Sequence, residues 1–251
     1  MEATAVLDAL FRWIHIVAGI IWIGLLYFFN FVNGPFAATM DGPTKQKVVP
    51  ELMPRALFWF RWGAAWTWVT GVLLLLIVFW HGGLMFLAGR GWSLLAVLMI
   101  LVTFFVAALY DVLAKSGWGK DIRLLAGVGW ALAVLVILGY LGASFSYRAY
   151  VIHTGAMFGT IMAFNVWMRI WPAQRQIITA TKQGTAPDPA LVALAGARSR
   201  HNTYLSVPLV WAMINYHTSA FSNVAYLILA IPLGWAAVYL IYNKAATVKG
   251  F

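Results

Sequence analysis

Cysteine is absent from this chain. That excludes disulfides, thiolate metal sites, iron–sulfur clusters and the C-x-x-C-H attachment of c-type haem. Any iron, copper or haem held here must therefore use His, Met, Tyr or carboxylate. Charge is scarce as well: 10% of the 251 residues are charged and 63% are hydrophobic, too little charge to cover a soluble domain of this length. Only seven residues are acidic, and most fall between apolar runs, so closely spaced carboxylates for acid–base work are missing. There is no Gly-rich phosphate loop, no G-x-S-x-G elbow and no H-E-x-x-H. Hydrolysis fits poorly. Redox chemistry or transport remains.

What the chain has in quantity is apolar runs of roughly 20 residues, each enough to cross ~30 Å of hydrocarbon. They predict an all-α, polytopic membrane helical bundle, a single transmembrane domain over 1–251. Seven spans are expected at about 9–33, 56–80, 92–114, 124–144, 149–171, 203–217 and 223–242. The first run is full length and carries no small-residue cleavage site, so it is not read as a cleavable signal peptide. The net charge of +10 follows topology and does not indicate nucleic acid. Lys45, Lys47 and Arg55 lie in 34–55, Lys115, Lys120 and Arg123 in 115–123, and Arg175, Lys182, Arg198 and Arg200 in 172–202. The intervening connections hold only Arg90 and Arg148. By the positive-inside rule the N-terminus is expected outside and the C-terminus in the cytoplasm of a bacterial inner membrane. The 14 Trp and 10 Tyr fit interfacial belts. The segment 172–202 is expected to be a cytoplasmic loop with a short surface helix near Pro189 to Arg198. Pro208 suggests a tilted or kinked sixth span.

In this orientation four of the five histidines fall toward the outer leaflet. His15 and His153 are each expected on the order of 6–9 Å below a helix end. His217 closes span six, His81 closes span two before Gly82-Gly83, and His201 alone is cytoplasmic. Imidazole inside hydrocarbon needs a partner. The bland reading is a hydroxyl or carbonyl; the sharper one is ligation of a haem b or a metal by His15 and His153, with His217 as substitute. Gly19, Gly24, Gly155 and Gly159 would leave room for a flat porphyrin, although glycine is common in membrane-helix contacts. His81 reads as a solvated turn residue.

A second polar set gathers toward the cytoplasmic ends: Asn30, Asn33, Arg61, Asp111, Asn165, Arg169, His201 and Asn202. It can be an Arg61–Asp111 ion pair with amides joining helices. The alternative is an inward-facing pocket for a small anionic or planar ligand, with Arg61, Asn165 and Arg169 holding it through forked hydrogen bonds.

Six stretches carry a family resemblance: RWIHIVAGIIWIG from Arg12, LYFFNFVN from Leu26, PRALFWFRWG from Pro54, HTGAMFGTIMAFNV from His153, PAQRQ from Pro172 and ARSRHNTYL from Ala197. Through them nearly the whole chain resembles the bacterial membrane-bound urate hydroxylase family, the urate oxidase N-terminal membrane domain. Span one is more loosely similar to haem-binding membrane protoporphyrinogen oxidases and copper-resistance membrane proteins. The resemblance implies oxidation of urate with water to 5-hydroxyisourate, with electrons passed to a cytochrome c. Typical members continue into an eighth span and a periplasmic cytochrome c domain, whereas this chain stops at Phe251. The expectation is therefore a separate cytochrome c as electron partner, or else a non-catalytic accessory or assembly subunit of a larger membrane electron-transfer or oxygenase complex. A metal or haem transporter is a third option.

Overall fold

A computed structural model describes residues 2–248. Seven long helices form among the described residues: α1 Ala3–Thr39, α2 Gly42–Trp80, α3 Leu94–Lys115, α4 Ile122–Gly142, α5 Tyr147–Lys182 and α7 Val224–Ala245, with α6 at Pro189–Asn215. Among the same residues no strand forms beyond an isolated bridge between Phe86 and Phe145. This is an all-α multi-pass membrane fold. Six of the helices are long and apolar enough to cross a membrane. The exception is α6, the expected sixth span, whose 27 residues include Arg198, Arg200, His201 and Asn202.

Helices α1, α2 and α5 overrun the spans expected for them. Each has 36 residues or more, on the order of 55 Å at ~1.5 Å per residue, against ~30 Å of hydrocarbon. The segment 34–55 is therefore helix almost throughout, and the expected loop 172–202 is an extension of α5 followed by the start of α6. Local chemistry marks the true ends. Ser93 Oγ accepts from Ala96 N at 3.1 Å and Asp121 Oδ1 from Arg123 N at 2.8 Å, which caps α3 and α4. Gly184, at φ +71°, takes the left-handed turn after α5 that a side chain would disfavour.

Three of the long helices contain a π-helical stretch: Phe28–Asn33 in α1, Leu75–Trp80 in α2 and Val166–Ile170 in α5. Such wide turns are rare and collect at functional sites. Each carries or adjoins a polar side chain of interest: Asn30 in α1, Trp80 in α2 as the partner of His153, and Asn165 and Arg169 in α5.

Tertiary contacts divide the chain into two compact units. The first combines the residues up to Ala9 with Gly71–Ile161 and Leu205–Trp235; the second combines Leu10–Thr70, Met162–Tyr204 and the chain from Ala236. In the first unit, Thr103 and Tyr140 hydroxyls bond at 2.7 Å between α3 and α4. Gly155 and Gly159 lie against Ala212, Met213 and Leu209 of α6. In the second unit, α1 and α2 meet at Gly63, where an added Cβ would stand 3.2 Å from the Ala18 carbonyl oxygen and from Trp22 N. Small residues permit this approach, which drives helix association in lipid.

Gly63→Val should thus separate α1 from α2 and cost about 1–3 kcal/mol through overpacking. Gly24→Ala, with nothing within 4 Å of the new methyl, should leave thermal unfolding in detergent unchanged or slightly raised.

Candidate functional site

The histidines come first. His153 is fully buried, within 5.2–6.3 Å of the rings of Phe79, Trp80, Tyr140 and Phe145. Its Nδ1 donates to the Ala149 carbonyl at 2.7 Å, and its Nε2 accepts from Trp80 Nε1 at 3.0 Å. Both ring nitrogens are therefore engaged. His15 is half-buried, with Nδ1 3.2 Å from Thr70 Oγ1. The Thr70 hydroxyl already donates to the Trp66 carbonyl at 2.6 Å, so it accepts from the histidine and fixes the Nδ1–H tautomer. His217 is exposed in the turn after α6, and His81 is exposed after α2.

A haem b or metal held between His15 and His153 needs a free nitrogen on each ring and space for the group. His153 offers no lone pair. The room expected at Gly155 and Gly159 is filled by α6: added Cβ atoms would meet Met213 and Ala212 at 3.0–3.1 Å and Leu209 at 3.3 Å. No group of three His, Cys, Asp or Glu side chains capable of holding a metal occurs among the described residues. His153, with both nitrogens engaged, does not fit as an axial ligand. The bland reading describes them better: each imidazole is bonded to nearby oxygen or indole.

The second unit concentrates polar chemistry around the first half of α6. Asn30, in the π stretch of α1, donates to Ser199 Oγ at 2.8 Å and to the Leu26 carbonyl at 2.9 Å, and accepts from the Tyr242 hydroxyl at 2.9 Å. Asn165, fully buried, donates to Asn202 Oδ1 at 2.8 Å, while Asn202 donates to the Met162 carbonyl at 2.9 Å. Ser199 and Asn202 stand three residues apart on α6, so the two amides grip one side of the helix over a single turn. Tyr242 stacks on Tyr204 at 5.9 Å, and the Arg200 guanidinium lies 5.5 Å from its ring. His201, just before the span expected on α6, is held down at about 4 by burial first, then by the Arg198 and Arg200 charges.

Arg61 is the other centre. Its guanidinium carbon sits 3.9 Å from the Trp171 ring centroid, 5.7 Å from Phe58 and 5.9 Å from Trp167. Trp167 Nε1 donates to the Arg61 backbone carbonyl at 3.0 Å. Among the described residues the Arg61 side chain makes no hydrogen bond, and its Nε is buried without one. Asp111 forms its ion pair with Lys115, one turn along α3, at 2.7 Å. Among the three residues expected to hold a ligand, Arg61 has a buried N–H without a hydrogen bond. Asn165 is engaged with Asn202, and Arg169 rests 5.5 Å from the Phe164 ring with Nη1 3.3 Å from the Met168 carbonyl.

The family described as urate oxidase N-terminal matches residues 2–250. The chain belongs to that family. No curated protein and no solved structure matches it. The six stretches that carry the resemblance supply every residue of the second unit's polar cluster except Tyr242. The role of Ser199 was missed in the sequence because it sits inside a basic segment read as the end of a loop. The signal that could have found it is polar residues at helical spacing in ARSRHNTYL.

Asn202→Leu removes the acceptor of a buried amide and should lower stability by about 1–3 kcal/mol. The Asn165→Leu, Asn202→Leu pair should cost less than the sum of the single changes, read from thermal unfolding in detergent. For His201 the folded value lies below its ordinary 6.5. Its share of stability is then complete above pH 6.5 and is lost as pH falls toward 4, because the unfolded imidazole takes up its proton first. His201→Gln should flatten unfolding stability across that interval.

Proposed function

We propose that the chain acts as a membrane urate hydroxylase and that Arg61 anchors the substrate. Family membership supports the reaction. The place is supported by one geometric observation, a guanidinium with no hydrogen bond among the described residues, its carbon 3.9 Å from an indole ring centroid. The side-chain carboxylates of its unit, Asp41, Glu51 and Asp188, are all exposed. A cation in such surroundings favours an anion.

Urate suits it. The molecule is planar, carries one negative charge at neutral pH and presents neighbouring nitrogen and oxygen acceptors along its edges. The guanidinium fork can take such a pair in two parallel bonds, and Trp171 offers a face for stacking. Asn165 acts through Asn202 to hold α6, and Arg169 is a second cation in the same unit. In the hydroxylation a water oxygen bonds to C5 of urate, and two protons and two electrons leave, giving 5-hydroxyisourate. A separate cytochrome c is the electron acceptor that the family implies, two molecules per turnover. Arg61 lowers the cost of holding the anion away from bulk water. With the N-terminus outside, the site opens toward the cytoplasm and a bacterial inner membrane is the setting.

The engaged histidines favour one alternative. If His15 and His153 serve packing alone, the chain is an accessory subunit of a larger electron-transfer or oxygenase complex. Urate loss with ferricytochrome c, measured on the purified chain in lipid nanodiscs, separates the two. Arg61→Gln should lower kcat/KM at least tenfold, mainly through KM. Arg61→Lys should recover little, because it keeps the charge without the fork. An unchanged KM in Arg61→Gln removes Arg61 from the substrate site, and no urate loss in the wild type leaves the accessory reading.

A further inference from the structure

Trp171 carries two arginines. The Arg61 guanidinium carbon is 3.9 Å from its ring centroid and the Arg175 carbon 5.9 Å, so the two cations lie no more than about 10 Å apart. An arginine four residues after a tryptophan is ordinary by itself, since that spacing puts any two side chains on one helix face. Arg61 does not share that register. It comes from α2, so one indole is the meeting point of guanidinium groups from two helices.

Like charges this close repel, and no carboxylate of the unit is bonded to either. Among the described residues the Arg175 side chain makes no hydrogen bond or ion pair. Asp41 accepts from Thr44 N and Asp188 from Ala190 N, each at 2.8 Å. Glu51 pairs with Arg55 at 2.7 Å and also meets the charge of Lys182, the next cation along α5. Exposure falls from one arginine to the other. Arg175 is exposed, Trp171 half-buried, and Arg61 half-buried with its Nε fully covered. Arg175 also stands about 40 Å along α5 from Tyr147, past the ~30 Å that hydrocarbon occupies.

We infer that Arg175 is the outer station of an anion path: it gathers the urate anion from water and delivers it past Trp171 to Arg61. The inference rests on the reading of Arg61 as the substrate anchor. The two arginines differ in how they act. An exposed cation works through its field, which raises the local concentration of anions and the rate of encounter. Salt screens that field beyond about 8 Å at physiological ionic strength. A lysine supplies the same field, whereas it does not replace the fork required at Arg61.

The test uses the purified chain in nanodiscs of zwitterionic phospholipid. Urate loss with saturating ferricytochrome c is followed at about 20 mM and about 0.5 M salt, and each variant is compared with wild type at the same salt. Arg175→Gln should lower kcat/KM about fivefold at low salt, through KM, and less than about twofold at high salt. Arg175→Lys should restore it. Lys182→Gln removes the same charge from the same helix and should leave kcat/KM unchanged. A loss equal at both salts, or one that lysine does not restore, overturns the proposal. Iodide quenching of tryptophan fluorescence reads the path with no urate present. The Trp171 share is what Trp171→Phe removes in each background, and acrylamide is the uncharged control. Arg175→Gln should lower the iodide constant of that share about twofold or more and leave the acrylamide constant unchanged; an unchanged iodide constant overturns the proposal. The expected quenching with no urate loss in wild type upholds anion gathering at Trp171 and removes the urate reading. The expected quenching with kcat/KM unaffected by Arg175→Gln overturns the path for urate and leaves Arg61 as its anchor.

Discussion

A helix with a polar side can persist in this fold only because amides from other helices answer it. The first half of α6 carries Ser199 and Asn202, and each has an asparagine as partner, half-buried Asn30 from α1 and buried Asn165 from α5. Unanswered, such groups are expensive away from water, and α6 is the helix that is not apolar enough to cross a membrane on composition. Hydrogen bonds therefore share with apolar packing in holding it. Every other feature of the second unit's polar cluster builds on that grip.

The wide turns explain how the amides reach. A π stretch inserts an extra residue into a helical turn and rotates the later turns relative to the earlier ones. Asn30 lies within such a stretch and Asn165 immediately before another. The same helix thus presents an apolar stripe over most of its length and turns a polar group toward α6 where one is needed. The π stretch in α2 has the same effect in the first unit, where Trp80 at its end donates to His153.

Much of this was legible in the sequence and some was not, for physical reasons. Hydrophobic length finds helices well, since ~30 Å of hydrocarbon sets a minimum run: six of the seven expected spans fall in helices apolar enough to cross, and the seventh, α6, is a helix that is not. Length says nothing about where a helix ends once it leaves the apolar region. Pro43 and Pro189 sit in the first turn of α2 and α6, where a missing N–H costs nothing, and Pro35 and Pro172 follow the π stretches within α1 and α5. Depth along a helix does not report direction. His153 is deep, but its two nitrogens face Ala149 and Trp80. Arg61 and Asn165 stand out in the sequence because charge and amides in apolar runs are rare. The partner of Arg61 does not, since a sequence shows opposite charges more readily than the aromatic faces that lie three helices away in the chain.

That last difference bears on chemistry. A carboxylate beside Arg61 would neutralise it and occupy its fork. Aromatic faces attract the cation through their quadrupoles, by roughly 0.5–2 kcal/mol, without touching the N–H edge. Trp171, 3.9 Å from the guanidinium carbon, therefore holds the cation against its ring without consuming an N–H. A ring beneath the guanidinium also excludes water from one side, which strengthens whatever electrostatic interaction forms at its edge. A cation held by aromatic rings instead of a carboxylate keeps its hydrogen-bonding capacity.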